Sequence, residues 1–270
     1  SYDEITKEFG EEVAELVDGV TKLGGVEFDT RKEKQAENLM KMFLSMAKDL
    51  RVVIIKFADR LHNMRTIEYL PLIKQRRIAV ETRDVYLPLA HRLGMFQIKS
   101  ELDDLVLNTL EPDAYKEIEK LLKSTGGKRK KTLKEITEPI KQQLGDHNIT
   151  YNLKTRLKSH ASIHSKMVSR EKLFDEIYDI FALRIIVSDV PECYSALGLI
   201  HQLFTPVHER FKDFLARPKI NGYQSLHTTV IGPSGKMVEI QIRTEEMDRT
   251  AEIGVAAHWK YKENGKKKGD

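Results

Sequence analysis

The apolar residues before residue 149 recur every three or four positions, which is the spacing of one helix face. Two such sets are Leu39, Met42, Phe43, Met46 and Ala47, followed by Val52, Ile55, Leu61 and Met64. Gly24-Gly25 and Pro71 separate segments, 72–93 and 98–110 repeat the pattern, and Glu111-Pro112-Asp113 begins another helix. The pattern therefore predicts an all-helical domain over residues 1–123.

The segment STGGKRKK, residues 124–131, interrupts this periodicity with two glycines and a basic cluster. It predicts a solvated loop, followed by a helix to about Gly145. Contact of the basic cluster with a partner is the alternative. Residues 124–148 are accordingly predicted to connect two domains.

The periodicity changes after residue 149. Phe181–Val187 is an apolar, β-branched run typical of a buried strand, and a helical pattern follows from 191 to 204. Strands at 225–231 and 236–243 flank a hairpin turn, and a helix is predicted from about Thr244 to Tyr261. These elements predict a mixed α/β domain over 149–262 with a frayed tail at 263–270, and an α+β fold for the whole chain.

A polar row runs along the last predicted strand. Its alternation places Glu239, Gln241 and Arg243 on one face, and Asp179 stands just before the strand Phe181–Val187. Two carboxylates on rigid strands of one sheet can bind one Mg²⁺, which typically takes one or two protein carboxylates and fills its other positions with phosphate and water. A polar face open to water is the alternative.

The loop between these carboxylates, residues 210–227, combines cations with an aromatic side chain. Arg210, Lys212, Arg217 and Lys219 could hold phosphates, and Tyr223 could stack on a base. These residue types are those that a purine nucleotide site requires. Taken singly, Tyr223 also fits a packing role and His227 a structural one.

The charge distribution is informative in one segment of the chain only. The net charge of +4 is small for a chain of 270 residues, so the composition requires neither a nucleic-acid coat nor a membrane surface. The segment 151–170 is nevertheless basic without one acidic residue, as a polyphosphate site would be. Its cations are Lys154, Arg156, Lys158, Lys166 and Arg170. A solvated basic face and an RNA-binding domain are the alternatives.

The single cysteine, Cys193, excludes an internal disulfide framework and favours a reducing, cytoplasmic location. No apolar run approaches the roughly 20 residues of a membrane span. Ser1 to Gly10 resembles the middle of an amphipathic helix, so the chain is expected to begin inside a domain.

Two long motifs carry a family resemblance. RFKDFLARPKINGYQSLHTTVIGPSGKMVEIQIRT and AEIGVAAHWKYK resemble the nucleotidyltransferase-like synthetase domain of long RelA/SpoT-type (p)ppGpp enzymes. FGEEVAELVDGVTKLGG and KFADRLHNMRT, in the first half, resemble the HD-type hydrolase domain of the same enzymes. The implied reaction transfers pyrophosphate from ATP to the 3′-hydroxyl of GDP or GTP, with AMP as by-product.

The resemblance also assigns site residues. It implies that Tyr223 stacks on guanine and that Asp179 and Glu239 bind Mg²⁺, with Glu239 at the guanosine 3′-hydroxyl. The other guanine-nucleotide residues implied are Lys219, Asn221, His227, Lys212 and Arg210. The ATP residues implied are Arg156, Lys158, Ser162 and Lys166, in a segment without the proline and aromatics that often stand there. The basic pattern Arg210-Phe211-Lys212-Asp213 is typical of bifunctional members.

In the HD-type half, only part of the family's Mn²⁺ site has a match. Asp59 matches one ligand and Asn63 a nearby substrate-site residue, whereas the histidine and histidine-aspartate motifs would precede residue 1. This chain is therefore expected not to hydrolyse (p)ppGpp, although the intact parent would. The ribosome is expected as a partner only through regulatory domains beyond this chain. A catalytically silent guanine-nucleotide-binding regulatory module is the alternative to an enzyme.

Overall fold

The computed structural model describes residues 1–21, 49–177, 179–233 and 235–254. The chain forms two compact units, Ser1–Ile67 and Glu68–Asp270. The helical set at 39–47, Gly24-Gly25, the end of the predicted C-terminal helix and the tail all lie outside the described residues. In the described ranges, no helix has both the length and the apolar character that a bilayer span requires.

The described part of the first unit consists of three helices, α1 (Tyr2–Phe9), α2 (Glu11–Val20) and α3 (Leu50–Arg65). Asp49 begins α3 by accepting a hydrogen bond from the backbone N–H of Arg51 at 2.8 Å. Val53, Phe57 and Met64 are buried on one face of α3, whereas Ile55, predicted to share that face, is 42% exposed. Val53, Phe57 and Met64 are spaced at i, i+4 and i+11 and so lie along one side of the helix, whereas Ile55 points away from that side.

The second unit begins with five helices. They are α4 (Leu72–Glu81), α5 (Leu87–Arg92), α6 (Phe96–Leu110), α7 (Pro112–Ser124) and α8 (Gly126–Asp146), with one π-helical turn, Thr82–Tyr86, between the first two. The loop predicted at 124–131 is wrong, because α8 starts at Gly126. Ile136, Ile140 and Leu144 are completely buried along α8, so packing outweighs the low helix propensity of its glycines and Pro139.

A six-stranded mixed sheet follows. Its strands are β1 (Tyr151–Leu157), β2 (Phe181–Val187), β3 (Thr205–Pro206), β4 (Lys212–Asp213), β5 (Leu226–Ile231) and β6 (Met237–Thr244). The order is β1-β2-β6-β5-β3, with β4 also paired to β5, and among these described strand pairs β2 and β6 run parallel and the others antiparallel. Three helices accompany it: α9 (His160–Arg170), α10 (Val190–Leu203) and α11 (Glu245–Ile253).

The core lies on one face of this sheet. Leu153, Ile185, Ile242 and Leu226 stand opposite one another on four neighbouring strands. They pack with Ile136, Ile140 and Leu144 of α8 and with Cys193, Ala196 and Ile200 of α10. Because side chains alternate along a strand, the intervening residues face the other side of the sheet, where the predicted site residues lie.

Candidate active site

A row of polar side chains crosses five strands on the face opposite the core. The strand register places Lys154, Arg184, Gln241, His227 and Lys212 side by side from β1 to β4. Two residues along, Arg156, Ala182 and Glu239 form the next row. This confirms that the alternation in β6 separates its polar residues from the core. The strand pairing also brings together residues that are far apart in the sequence.

A cavity of about 540 Å³ opens against this polar face. From the sheet side it is lined by cationic and polar groups that include Arg156, Lys158, Arg184, His227 and Gln241. The opposite wall comes from α6, with Phe96, Gln97, Ser100, Glu101 and Asp104. Its volume and its mixture of aromatic and cationic walls suit a nucleotide.

Glu239 is held as a carboxylate by two neighbours. The Gln241 amide donates to its Oε1 at 2.8 Å, and His227 Nδ1 lies 3.4 Å from the same oxygen. His227 Nε2 lies 2.7 Å from the hydroxyl of Tyr223, which suits a ring that donates from Nδ1 and accepts at Nε2. Burial alone would raise the pKa of Glu239, but its hydrogen bonds with His227 and Gln241 and the charge of Lys158 lower it to about 2.

Asp179 sits between two lysines. Both Lys158 Nζ and Lys166 Nζ donate to its Oδ2. Burial opposes the charge of Asp179, yet the two ammonium groups keep its pKa below the usual value. Burial also lowers the pKa of Lys158, and Asp179 counteracts this.

Because Lys158 acts on both Asp179 and Glu239, it links the two carboxylates electrostatically. The cavity is lined by their partners Lys158, His227 and Gln241 and not by the carboxylates themselves.

The loop that carries Tyr223 is closed by a tight turn. Gly222 has φ of 76°, a left-handed conformation that favours glycine, and the backbone N–H of Lys219 donates to the carbonyl of Tyr223 at 3.1 Å. Asn221 donates from Nδ2 to the carbonyl of His91 at 3.2 Å. The side-chain amide of Asn221 thus makes a hydrogen bond to the protein backbone in this structure.

The ring of Tyr223 is only 9% exposed. It packs edge-on against Phe96 and Phe214 at 5.8 and 6.0 Å between centroids, and Lys219 Nζ lies 4.9 Å from its centre. Arg210 and Lys212 lie outside the cavity lining, Arg210 half-buried and Lys212 exposed at the end of the polar row. Stacking of Tyr223 on a base remains a prediction.

The predicted ATP residues fall into two places. Arg156 and Lys158 line the cavity, while Ser162 and Lys166 stand on α9. Ser159 begins α9 by accepting from the backbone N–H of Ser162 at 3.3 Å, and its hydroxyl donates to Ser162 Oγ at 2.8 Å. Asp104 of α6 accepts from the backbone N–H of Ala161 at 2.8 Å, which fixes the start of this helix against the opposite cavity wall.

Arg184, Asp248 and Glu252 escaped the sequence analysis as functional residues, as did the residues of α6 that line the cavity. Arg184 and Arg243 are buried in the sheet and pair with Asp248 and Glu252 of α11. An arginine inside the apolar run FALRIIV is the signal that could have revealed Arg184, because a buried charge needs partners. The acidic partners belong to α11, and no local sequence pattern predicts where this helix packs on the sheet.

In the first unit, Asp59 and Asn63 stand one turn apart and exposed on α3. Among the described residues, no group of three or more histidine, cysteine, aspartate and glutamate side chains is placed to hold a metal. A residual Mn²⁺ ligand at Asp59 therefore stays a prediction.

Comparison with known proteins agrees with both halves of the chain. Residues 155–266 match the region found in RelA/SpoT proteins, and residues 1–96 match the HD domain. A probable guanosine-3′,5′-bis(diphosphate) 3′-pyrophosphohydrolase of Synechocystis is 52% identical over 98% of this chain and 35% of its own length. The bifunctional (p)ppGpp synthase/hydrolase SpoT of Escherichia coli is 49% identical over 98% of this chain and 38% of its own. A GTP pyrophosphokinase of Streptomyces coelicolor is 50% identical over 97% of this chain and 31% of its own. The chain thus spans about a third of the length of these relatives.

Proposed function

Because the chain belongs to the family of RelA/SpoT-type (p)ppGpp synthetases and hydrolases, we propose that its second unit transfers pyrophosphate from ATP to the 3′-hydroxyl of GDP or GTP and releases AMP. The observation that carries this proposal is the pair Asp179 and Glu239, coupled through Lys158 beside a cationic cavity of nucleotide size. Phosphoryl chemistry depends on positioning and charge neutralisation, which such a site supplies.

The matched families point to a divalent metal, and we propose Mg²⁺ for synthesis. The residues fit such an ion, since Asp179 and Glu239 both have lowered pKa values and offer charged oxygens at neutral pH. Mg²⁺ would neutralise charge on the transferring group. Asp179 is now compensated by two ammonium groups, so ATP phosphates and the metal would together replace those ion pairs.

Glu239 would accept a hydrogen bond from the attacking 3′-hydroxyl and orient it. A carboxylate whose pKa is about 2 is a weak base, so orientation contributes more than complete removal of the proton. Gln241 and His227 fix the carboxylate in advance, which avoids reorganisation when the nucleotide arrives.

The two nucleotides would occupy different sides of the polar face. ATP would contact Arg156, Lys158, Ser162 and Lys166, around β1 and α9. The guanine nucleotide would lie near β5 and the loop before it, against Tyr223, Lys219, Asn221, His227, Lys212 and Arg210. Stacking on Tyr223 requires that its present contacts with Phe96 and Lys219 be exchanged for the base.

For the whole protein, we propose that (p)ppGpp is also hydrolysed at a Mn²⁺ site in the HD domain, with Asp59 as one ligand and Asn63 beside the substrate. This proposal is supported by the HD match over residues 1–96 and by relatives named as hydrolases.

Incubation of the chain with ATP, GDP and Mg²⁺ tests the synthetase proposal. We expect AMP and ppGpp in equal amounts, resolved by anion-exchange chromatography. A folded chain that binds GDP but forms neither product would contradict the proposal and support the regulatory-module alternative.

A further inference from the structure

A buried ionic cluster joins the sheet to the helix α11. Arg184 Nη1 donates to Asp248 Oδ1 at 3.0 Å and to Glu252 Oε1 at 2.7 Å. Arg243 Nη2 lies 2.9 Å from the same oxygen of Asp248, and Lys154 Nζ donates to its other oxygen at 3.1 Å. Asp248 thus receives three cations, although its side chain is only 10% exposed.

This cluster borders the cavity. Arg184, Arg243 and Glu252 line it, together with Arg156 and Lys158. The side chain of Arg184 is only 8% exposed, and its Nε is buried without a hydrogen-bond partner among the described residues. A buried N–H of this kind costs free energy unless something else accepts from it. The arrangement fixes one end of the guanidinium and leaves another donor unused.

The position of Arg184 indicates which nucleotide it serves. It stands on β2 directly opposite Lys154 of β1, the strand that carries Arg156 and ends beside Lys158. The loop with Tyr223 lines the same cavity but leads into β5, which β6 separates from β2 in the strand order. Because a guanidinium fixed before binding loses less conformational entropy, holding Arg184 favours the ligand on the β1 side.

We propose that Asp248, assisted by Glu252, is a positioning residue that holds Arg184 in the cavity wall for the donor nucleotide. This inference rests on the proposed function, since it takes ATP as the nucleotide on the β1 side. Neither carboxylate needs to contact ATP itself.

Titration calorimetry with ATP and Mg²⁺, without GDP, tests this role. We expect Asp248→Asn to weaken ATP binding about tenfold, equivalent to about 1.4 kcal/mol. Glu252→Gln should act in the same direction, because it removes the negative charge from the second acceptor of Arg184 Nη1. GDP affinity should stay within about twofold, whereas a merely structural loss would weaken both nucleotides.

Glu245→Gln is the matched control. Glu245 stands in the first turn of the same helix, so its loss changes the helix dipole interaction equally, but its side chain is exposed. We expect wild-type ATP affinity for this variant. In an Arg184→Ala background, Asp248→Asn should have no further effect on ATP binding, because it acts through Arg184.

Wild-type ATP affinity in folded Asp248→Asn and Glu252→Gln chains would overturn the inference, as would equal weakening of ATP and GDP. Glu252 is 37% exposed, so Glu252→Gln decides the question if Asp248→Asn fails to fold. A wild-type chain that bound no ATP would overturn the proposed function as well, which separates the two failures.

Discussion

Glu239 is the residue on which the proposed chemistry depends most. Its carboxylate is partly buried and receives hydrogen bonds from Gln241 and His227, so it is both ionised and fixed. We expect Glu239→Gln, which keeps the shape but removes the charge, to lower the rate of AMP formation at least about 100-fold. The midpoint of thermal unfolding establishes that the variant is folded.

Glu209→Gln serves as the control for this loss, because Glu209 is exposed and outside the cavity lining. A Glu239→Gln chain that kept more than half of the wild-type rate would remove Glu239 from the mechanism.

The low pKa of Glu239 also predicts how stability depends on pH. A carboxyl whose pKa is lowered on folding stabilises the folded state above its unfolded pKa and loses that contribution as the pH falls through the folded value. For Glu239 the window runs from 4.5 to about 2, which corresponds to at most about 3 kcal/mol. Urea unfolding at pH 5 and pH 3 should therefore show the difference between wild type and Glu239→Gln shrinking at the lower pH. A constant difference would show that the neighbours of Glu239 do not stabilise its charge.

At the residue scale, the sequence predicted several of the residues that line the cavity, but not which side chains contact one another. The alternation of β6 was sufficient to place Glu239 and Gln241 on one polar face. It could not show that Lys158 and Lys166, assigned to ATP, both contact Asp179, because contacts across different elements have no local pattern. The partners of Arg184 were hidden for the same reason.

Among the elements, α8 shows how tertiary packing can outweigh an unfavourable local helix propensity. Two glycines, a basic cluster and Pro139 argue against a helix over 126–146, yet its apolar residues are completely buried. The strands β2, β5 and β6 were predicted, since their apolar runs are short and rich in β-branched residues, whereas the polar β1 and the two-residue β3 and β4 were not. The start of α8 was not, because it depends on the sheet against which the helix packs.

Gly254 and Gly145 provide an element-scale test. A Cβ on Gly254, which has φ of 60°, would lie 2.3 Å from the carbonyl oxygen of Leu93, whereas a Cβ on Gly145 meets nothing within 4 Å. We expect Gly254→Ala to lower the free energy of unfolding by about 2 kcal/mol or more, because backbone must shift. Gly145→Ala should leave it unchanged or raise it by up to about 1 kcal/mol. Equal effects of the two changes in urea unfolding would contradict this packing of the end of α11.

At the scale of the whole molecule, the cavity combines segments that the sequence analysis assigned to different domains. A helical first half and a mixed sheet after residue 149 were predicted, and the fold class is confirmed. The strand order β1-β2-β6-β5-β3 and the contribution of α6 to the cavity were not predictable, since both depend on pairings between distant segments. The predicted boundaries at 123 and 149 stay predictions, although the second compact unit begins at Glu68.

Two truncations test this organisation. A chain of residues 68–270 retains α6 and every described residue that lines the cavity, so we expect ATP affinity within about threefold of the full chain. A chain of residues 149–270 lacks Phe96 and the Asp104 carboxylate that fixes α9, and it should lose ATP binding. Wild-type affinity in the shorter chain would show that α6 is dispensable for the site.

Binding of one divalent cation by Asp179 and Glu239 is the central physical claim, and electron paramagnetic resonance of Mn²⁺ in place of Mg²⁺ tests it most directly. With a non-hydrolysable ATP analogue, we predict one analogue-dependent ion per chain, lost in both Asp179→Asn and Glu239→Gln and retained in Asp175→Asn, whose side chain is exposed. Retention of that ion in either site variant would contradict the account.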